Sequence, residues 1–450
     1  MQNISVDFSK SIGKIKAMHA VGQPPIYGMN FQYFDYLTQA HIPYARLHDT
    51  GGAFGRGVFV DIPNLFRDFE ADENDPASYD FAFTDVLLSE LMKAGVKPYF
   101  RLGVTIENYP HIRAYRIYPP KDAAKWARIC EHVIRHYNEG WANGFTFGIE
   151  YWEIWNEPDS KTERGSMMWL GTEQEYFDLY EVSAKHLKKC FGDTIKIGGF
   201  ASCGFYAVTD PEILEAQKNG TEAELPEAKQ NLIYFKEYFE RFLVFIKEKN
   251  APIDFFSWHS YDPVANTLIH QAYAEKTLEA MGYSHIEIHL NEWNTHHSVK
   301  EMGTAGAAAS SAAMMCAMQE TKMTMMNFYD ARITTSDYCG LFDSRFRCPM
   351  ATYDAFLAFG TLYALGAQAE VKGLGEDLYA TAASDGKDNA ILLANIGEKK
   401  EVSLNLSGKY FAYAITDDTR MKPIKLDPAA FTMEKDTTVF FSTREVVIPE

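Results

Sequence analysis

Short apolar segments alternate with longer amphipathic segments through residue 365 of the chain. In one well-marked case, Phe83, Leu87 and Leu91 recur at helical spacing, and Gly95 follows as a C-terminal stop. The pattern predicts eight short strands, each followed by a helix. The predicted strands cover residues 26–30, 44–47, 97–102, 151–154, 196–199, 255–258, 287–290 and 324–327. The predicted helices cover residues 32–40, 80–94, 123–138, 172–189, 231–249, 267–280, 304–319 and 351–365.

Eight strands that each precede a helix favour an α/β fold with a closed parallel (β/α)8 barrel. The alternative is an open, doubly wound sheet, which needs a glycine-rich fingerprint after its first strand. The residues after Tyr27 read Gly-Met-Asn-Phe and do not supply that fingerprint. The barrel is therefore the preferred interpretation, and it directs attention to the C-terminal ends of the strands.

The pattern changes after Leu365, where short alternating segments are separated by Gly, Asp, Lys and Asn. This texture predicts an antiparallel, β-sandwich-like module. A further alternating piece, residues 4–8, predicts an edge strand outside the barrel. The expected organisation is an N-terminal strand that joins the β module (1–15), the barrel (16–366) and the C-terminal β module (367–450), whose default role is structural.

Charge and composition exclude several classes of partner. The chain has 43 lysines and arginines against 61 aspartates and glutamates, a formal net charge of −18 at pH 7. No basic excess is present to neutralise phosphates, so nucleic acid and anionic membranes are not expected partners. No apolar run reaches the roughly 18 residues that a membrane-spanning helix needs.

The start of the chain and its cysteines indicate a cytoplasmic location. Met1 is followed by Gln-Asn-Ile-Ser-Val-Asp, which lacks the features of a secretory signal. The six cysteines show no Cys-x-x-Cys spacing, so reduced thiols are expected rather than a zinc site or a disulfide framework. The assembly state is left open, including a homo-oligomer.

The segment 150–159 reads Glu-Tyr-Trp-Glu-Ile-Trp-Asn-Glu-Pro-Asp and begins as a buried strand. Pro158 ends the strand, so Glu157 is expected where strand gives way to loop. Partial desolvation among tryptophans favours the protonated form of a carboxyl group, as a general acid requires near neutral pH. The structural alternative is a carboxylate paired with an arginine. Trp155-Asn156-Glu157-Pro158, at the end of the fourth predicted strand, resembles the acid/base motif of clan A glycoside hydrolases.

A second carboxylate, Glu292, follows the seventh predicted strand in the segment Asn-Glu-Trp-Asn. Strands four and seven of a narrow barrel can bring Glu157 and Glu292 to the two sides of one sugar. Retaining glycosidases hold such carboxyl groups about 5 Å apart, whereas inverting enzymes need roughly 6.5 to 9.5 Å. We expect the retaining arrangement.

A metal-dependent barrel hydrolase is the distant alternative. His296 and His297 suggest metal ligands, but the chain lacks a His-x-His after its first predicted strand and any His-Glu-x-x-His. We therefore expect no metal and no organic cofactor. Arg101, Arg113 and Arg116 are expected in ion pairs, with one facing a uronate as the alternative.

Together, Arg46-Leu-His48, Asn156-Glu157-Pro158, His259-Ser-Tyr261 and Asn291-Glu292-Trp293-Asn-Thr look like glycoside hydrolase family 39, with a likeness spanning residues 27–330. The resemblance implies Glu157 as acid/base and Glu292 as nucleophile. It also implies that Asn156 donates to the sugar 2-hydroxyl and that Tyr261 or His259 orients Glu292. The expected substrate-binding residues are Arg46, His48, Asn156, His259, Tyr261, Trp293 and Tyr329.

Some of these assignments have structural alternatives. Trp293 and Tyr329 are either core aromatics or platforms for the C–H face of a sugar, and His48 and His259 taken singly fit a satisfied core histidine. The chain also departs from the family. Asp49 follows His48 where a glycine is more usual, and residues 326–330 lack the tryptophan found in family xylosidases at the eighth strand.

The resemblance implies a retaining exo-glycosidase acting on plant-type oligosaccharides by double displacement, with a β-xylosidase as the favoured activity. The enzyme alternatives are an α-L-arabinosidase, a β-galactosidase or β-glucosidase, and a uronidase. A non-catalytic carbohydrate-binding barrel is the alternative outside the enzymes.

Overall fold

The computed structural model of the chain describes residues 1–52, 58–105, 117–160, 168–295, 298, 300–333, 338, 340–416 and 420–448. Its strands, in chain order, are β1 (Gln2–Lys14), β2 (Ala17–Gly22), β3 (Tyr44–Arg46), β4 (Gly51–Gly52), β5 (Val58–Phe59), β6 (Lys97–Leu102), β7 (Tyr151–Ile154), β8 (Lys196–Ser202), β9 (Phe255–Ser260), β10 (Glu287–Trp293), β11 (Met325–Phe328), β12 (Ala367–Lys372), β13 (Leu378–Ser384), β14 (Asn389–Asn395), β15 (Lys400–Leu404), β16 (Phe411–Ile415), β17 (Lys422–Ile424), β18 (Phe431–Met433) and β19 (Thr437–Ser442).

The helices alternate with the barrel strands as the hydrophobic periodicity predicts. They are α1 (Phe34–Gln39), α2 (Ile62–Leu65), α3 (Ala82–Lys93), α4 (Ala123–Glu139), α5 (Glu173–Phe191), α6 (Pro211–Asn219), α7 (Glu227–Lys249), α8 (Val264–Met281), α9 (Ala305–Gln319) and α10 (Ala351–Leu365). Local signals mark several ends. Thr172 and Glu175 form a capping box at the start of α5, and the left-handed residue Gly140 ends α4.

Eight parallel strands close into a barrel in the order β2-β3-β6-β7-β8-β9-β10-β11, and β11 pairs with β2. The predicted α/β class and (β/α)8 barrel are confirmed. Each barrel strand therefore delivers its C-terminal end to one face of the barrel.

The first predicted barrel strand is wrong. Residues 26–30 form a turn with an isolated bridge between Tyr27 and Asn30, and the first barrel strand is β2. The sequence of β2, Ala-Met-His-Ala-Val-Gly, contains small residues and a histidine, which have weak intrinsic preference for strands. Its burial on both faces of the closed barrel, rather than its composition, makes it a strand.

A nine-stranded sheet packs beside the barrel in the order β17-β16-β19-β14-β13-β12-β1-β15-β18. Its pairs are antiparallel except for β1 with β15. The predicted C-terminal antiparallel module is confirmed, but the prediction of an N-terminal edge strand is wrong, because β1 lies between β12 and β15. Its alternating buried and exposed residues occur on any strand with one solvated face. The division at residues 15 and 366 stays a prediction.

The barrel interior is layered, and the layers position the site. Near the N-terminal ends of the strands, Tyr99, Tyr151 and Phe255 form an apolar layer with His289 packed against the rings. Further along the strands the interior becomes polar, with the fully buried Arg46 and Glu153 in contact. The charged groups thus lie between a packed floor and the open C-terminal face.

Candidate active site

The C-terminal ends of the barrel strands bring most of the predicted site residues together. Arg46 ends β3, and Asn156 and Glu157 follow β7. His259 lies near the end of β9, and Glu292 lies near the end of β10. Their side chains are linked by the hydrogen bonds and ion pairs described below, so residues spread over 246 positions of the chain form one polar cluster.

An unusual backbone conformation presents Glu157 to the barrel mouth. Trp155 and Glu157 have φ values of +74° and +45°, which are uncommon for residues with side chains. The Glu157 N–H points at the carbonyl oxygens of Phe200 and Ala201, at 3.2 and 3.0 Å, at the end of β8. These contacts with the neighbouring strand hold the turn that precedes Pro158, and the strain is of the kind found at functional sites.

His259 lies between the two glutamates. Its Nδ1 is 2.6 Å from Oε1 of Glu157 and 3.3 Å from Oε2 of Glu292. A carboxyl oxygen of each glutamate and this nitrogen all lie within 4.8 Å of one another. That separation agrees with the roughly 5 Å of a retaining pair and is shorter than an inverting pair requires.

Two hydrogen-bond donors contact Glu292. The Tyr261 hydroxyl donates to Oε2 at 2.9 Å, and the Arg46 guanidinium donates to Oε1 at 3.0 Å. Burial raises the pKa of Glu292 above its ordinary value, while His259, the positive charge of Arg46 and the Tyr261 hydrogen bond act in the opposite direction. The donors therefore offset part of the cost of keeping a charged carboxylate in a buried place.

Arg46 organises the floor of the site. Its Nε and one terminal nitrogen donate to Oε2 of Glu153 at 2.8 and 2.6 Å, and the same terminal nitrogen donates to Oδ1 of Asn156 at 2.6 Å. Because a guanidinium can only donate, this hydrogen bond fixes the orientation of the Asn156 amide, with its oxygen toward Arg46 and its nitrogen away from Arg46. One fully buried guanidinium thus orients Glu153, Asn156 and Glu292 together.

The protonation of Glu157 follows from its surroundings. Burial raises its pKa from the ordinary value of 4.5 to about 7, and the negative charge of Asp49 acts in the same direction. Arg46 and a hydrogen bond with Cys203 act in the opposite direction. Near neutral pH the carboxyl group is therefore divided between its acid and its base forms.

The structure brings His48 to this cluster but places Trp293 outside it. Nε2 of His48 is 3.2 Å from Oε1 of Glu292. Trp293, the next residue on β10, packs in the core against Phe328 and Phe356 instead, because consecutive strand residues face opposite sides. Tyr329 lies at the barrel mouth, with its ring 5.8 Å from that of His48.

Several polar residues of the cluster were missed by sequence reasoning. Glu153 also accepts hydrogen bonds from Ser257, at 2.6 Å, and from Asn291. A signal was present, because Glu153 is charged within an otherwise apolar four-residue strand and so needed a buried cationic partner. Arg101 is paired, as expected for an ion-pair residue, and its partner is Asp49.

The His259–Glu157–Glu292 group also has the donor set of a cation site. The 2.6 Å contact between His259 and Glu157 is a hydrogen-bond distance, whereas two ligands each about 2.1 Å from a zinc ion lie farther apart than that. The contacts fit two carboxyl groups with a histidine between them better than a metal centre. His296, His297, Arg113 and Arg116 lie outside the described residues.

Comparisons with known proteins place the chain in a family. The model of glycosyl hydrolases family 39 matches residues 39–315, more than half of the chain, and the chain belongs to this family. A beta-xylosidase from Geobacillus stearothermophilus is 25% identical over an aligned length of 275 residues, and the alignment covers 54% of this chain and 46% of that protein. The chain therefore spans about half the length of that relative.

Two solved structures share the fold over nearly the whole chain. A glucosidase from Croceicoccus marinus has a TM-score of 0.75 at 19% identity, covering 98% of each chain. A monomeric beta-xylosidase from Caulobacter crescentus has a TM-score of 0.67 at 14% identity, covering 98% of this chain and 99% of that one. At these identities the likeness is one of fold.

Within the part of the chain that the structure describes, no helix is both long enough and apolar enough to cross a membrane.

Proposed function

We propose that the protein is a retaining exo-glycosidase, a β-xylosidase, that releases terminal sugars from plant-type oligosaccharides by double displacement. The observation that carries the proposal is the approach of Glu157 and Glu292 to within 4.8 Å at the open end of the barrel. Family membership and the β-xylosidase relative support the class of reaction and the choice of sugar. No metal or organic cofactor is needed for this chemistry.

In the first proposed step, an Oε atom of Glu292 forms a bond to the anomeric carbon while the bond from that carbon to the departing oxygen breaks. Protonated Glu157 gives its proton to the departing oxygen, and a covalent glycosyl-enzyme forms. In the second step, the Glu157 carboxylate takes a proton from water as the water oxygen attacks the anomeric carbon. Glu292 leaves as a carboxylate and Glu157 is protonated again.

The neighbouring groups serve these two roles. Arg46 and Tyr261 stabilise the charge on Glu292 and aim its oxygens. His259 contacts both glutamates and so helps to hold their side chains in place. Asn156, held by Arg46, presents its amide nitrogen to the sugar 2-hydroxyl, a bond that strengthens in the transition state.

The activity is tested with a panel of aryl glycosides comprising β-D-xyloside, β-D-glucoside, β-D-galactoside, α-L-arabinoside and β-D-glucuronide. We expect the xyloside to be cleaved with the highest kcat/KM and the product to appear first as the β anomer by NMR. Initial release of the α anomer would contradict retention. Binding of sugars without cleavage of any glycoside would support a non-catalytic barrel instead.

The roles of the two glutamates are tested by separate variants. Glu157→Ala should lower kcat by about 10²- to 10⁴-fold for poor leaving groups, the usual contribution of a general acid. Added azide should partly restore turnover of activated substrates in that variant. Glu292→Ala should abolish turnover while leaving the thermal unfolding midpoint close to that of the wild type. Turnover at the wild-type rate in either variant would contradict its assigned role.

A cytoplasmic location is part of the proposal. Its support is the state of the cysteines. Those that are free thiols among the described residues are Cys130, Cys190, Cys203, Cys316 and Cys348. Free thiols persist in reducing compartments.

A further inference from the structure

Asp49, which follows β3 next to His48, is a buried carboxylate at the mouth of the barrel. It is 3% exposed, and its charge raises the pKa of Glu157, so it lies within electrostatic reach of the acid pair. Oδ1 accepts a hydrogen bond from Arg101 at 3.2 Å. Oδ2 is buried and has no hydrogen-bond partner among the described residues. A buried carboxylate oxygen without a donor is costly and calls for an explanation.

The arrangement of His48 explains why the protein itself does not satisfy Asp49. Arg101 donates to Nδ1 of His48, which leaves the single proton of the neutral ring on Nε2. Nε2 lies 3.2 Å from Oδ2 of Asp49 and 3.2 Å from Oε1 of Glu292. Burial and Arg101 also hold the pKa of His48 well below its ordinary value, so a second ring proton is disfavoured. One N–H shared between two carboxylates gives neither of them a full hydrogen bond.

We propose that Asp49 is a specificity-determining residue whose Oδ2 accepts a hydrogen bond from the 3- or 4-hydroxyl of the sugar bound against Glu292. The inference rests on the proposed glycosidase function and deepens it by naming the part of the sugar that is read. With Asn156 assigned to the 2-hydroxyl, the hydroxyls at C3 and C4 remain to supply the missing donor. The carboxylate also disfavours a sugar that carries its own carboxylate, so the site is selective for neutral glycones.

A second unsatisfied acceptor lies on the neighbouring strand end. Gln23, directly after β2, is fully buried and donates from Nε2 to the Tyr329 hydroxyl at 2.8 Å. Its Oε1 has no hydrogen-bond partner among the described residues. Tyr329 in turn lies beside His48 and within electrostatic reach of Asp49. Two acceptors on adjacent strand ends suit a pair of neighbouring hydroxyl groups, such as those at C3 and C4.

The test is a cycle that combines a change in the enzyme with a change in the substrate. Wild type and Asp49→Asn are assayed with 4-nitrophenyl β-D-xyloside and with its 2-, 3- and 4-deoxy analogues. A hydrogen bond to a charged group predicts a loss of roughly 10- to 100-fold in kcat/KM when either partner is removed. For the 3- or 4-deoxy analogue, the combined loss in kcat/KM should be smaller than the product of the two separate losses. Losses that multiply at both positions, or coupling to the 2-position alone, would overturn the proposal.

The variants are chosen to separate recognition from folding. Asparagine has nearly the shape of aspartate and tolerates the left-handed backbone at this position, where φ is +46°. Asp49→Gly removes the side chain without backbone strain. It should lower kcat/KM for the xyloside as Asp49→Asn does, and the same deoxy analogue should again lose less than the product of the separate losses. Asp193→Asn makes the same chemical change at an exposed carboxylate between α5 and β8, at the other end of the barrel, and should leave every kcat/KM unchanged.

The preference for a neutral over an anionic substrate gives a second measurement. Wild type should prefer the xyloside to 4-nitrophenyl β-D-glucuronide, and Asp49→Asn should narrow that preference several-fold. An unchanged preference would remove the electrostatic part of the proposal. If wild type cleaves no glycoside, the proposed function fails. Binding of D-xylose measured by NMR titration would still decide the role of Asp49, because equal affinities in wild type and Asp49→Asn would overturn it.

Discussion

The pKa of Glu157 links a single residue to the pH dependence of activity. Burial raises this pKa to about 7, and the proposed first step needs the protonated form. Activity on substrates with poor leaving groups should therefore be present below pH 7 and fall about tenfold per unit above it. A pH profile of kcat/KM measures this fall in activity above pH 7. Glu157→Gln, assayed with an activated substrate, should not show the fall. The same fall in that variant would mean that another group titrates.

Arg46 should contribute to stability as well as to the site. It pairs with Glu153 where both side chains are fully buried. Arg46→Met would leave Glu153 charged and unpaired in the interior, and we expect a loss of about 3–5 kcal/mol in the free energy of unfolding, measured by denaturant titration.

The matched control for Arg46 is Arg241→Met. Arg241 makes a similar two-pronged contact with Glu173, but on the surface, where the arginine side chain is 41% exposed. Its loss should cost under about 1 kcal/mol. Equal losses in the two variants would mean that burial does not decide the energy of these pairs.

The strand-end rule accounts for how much of the site could be predicted. Parallel barrel strands deliver their last residues to one face, so Glu157, Glu292 and Arg46 could be grouped from their positions alone. Trp293 shows the limit, because the last residues of a strand alternate between the interior and the surrounding helices. Asp49 could be seen to depart from the family, but its unsatisfied oxygen depends on the orientation of His48 and Arg101, which only coordinates provide.

At the scale of elements, the periodic helices and apolar strands were predictable, and the exceptions have physical reasons. Helix α10 was predicted with its observed bounds, 351–365, because its apolar residues are flanked by clear stops. The first barrel strand was not found, because its extended conformation is imposed by neighbours on both sides. In the sheet, β17 and β18 have only three residues each, and strands this short gain their stability from pairing rather than from propensity.

Close packing of α10 reverses the usual effect of replacing a helix glycine. A Cβ atom at Gly360 would lie 1.8 Å from the carbonyl oxygen of Ala40, which follows α1. Backbone cannot yield as a flexible side chain does, so Gly360→Ala should destabilise the protein by about 1–3 kcal/mol through overpacking. Thermal unfolding measures the effect.

Gly306 in α9 provides the comparison, because a Cβ atom there would make only ordinary contacts, at 3.7 Å and beyond. Gly306→Ala should stabilise the protein by up to about 1 kcal/mol, since alanine loses less backbone entropy in a helix. The same sign in both variants would show that helix propensity outweighs packing at Gly360.

At the scale of the whole molecule, the barrel and the nine-stranded sheet share one apolar core. Helices α9 and α10 lie between them, and the same hydrophobic cluster contains Phe356 of α10 together with Leu392 and Phe440 of the sheet. The sheet also takes in β1, which precedes the barrel in the chain. The two parts should therefore unfold together, because separating them would expose this shared apolar surface.

Arg420 tests that coupling from the sheet side. Its guanidinium donates to both oxygens of Asp354 in α10, at 2.7 and 2.6 Å, and Asp354 is fully buried. Arg420→Met leaves that carboxylate with the Met421 N–H among its donors, and should cost about 3 kcal/mol. Arg444→Met, which removes an exposed partner of Asp388, should cost under about 1 kcal/mol. In calorimetry we expect Arg420→Met to move one transition to lower temperature; a separate early transition would mean that the sheet unfolds independently of the barrel.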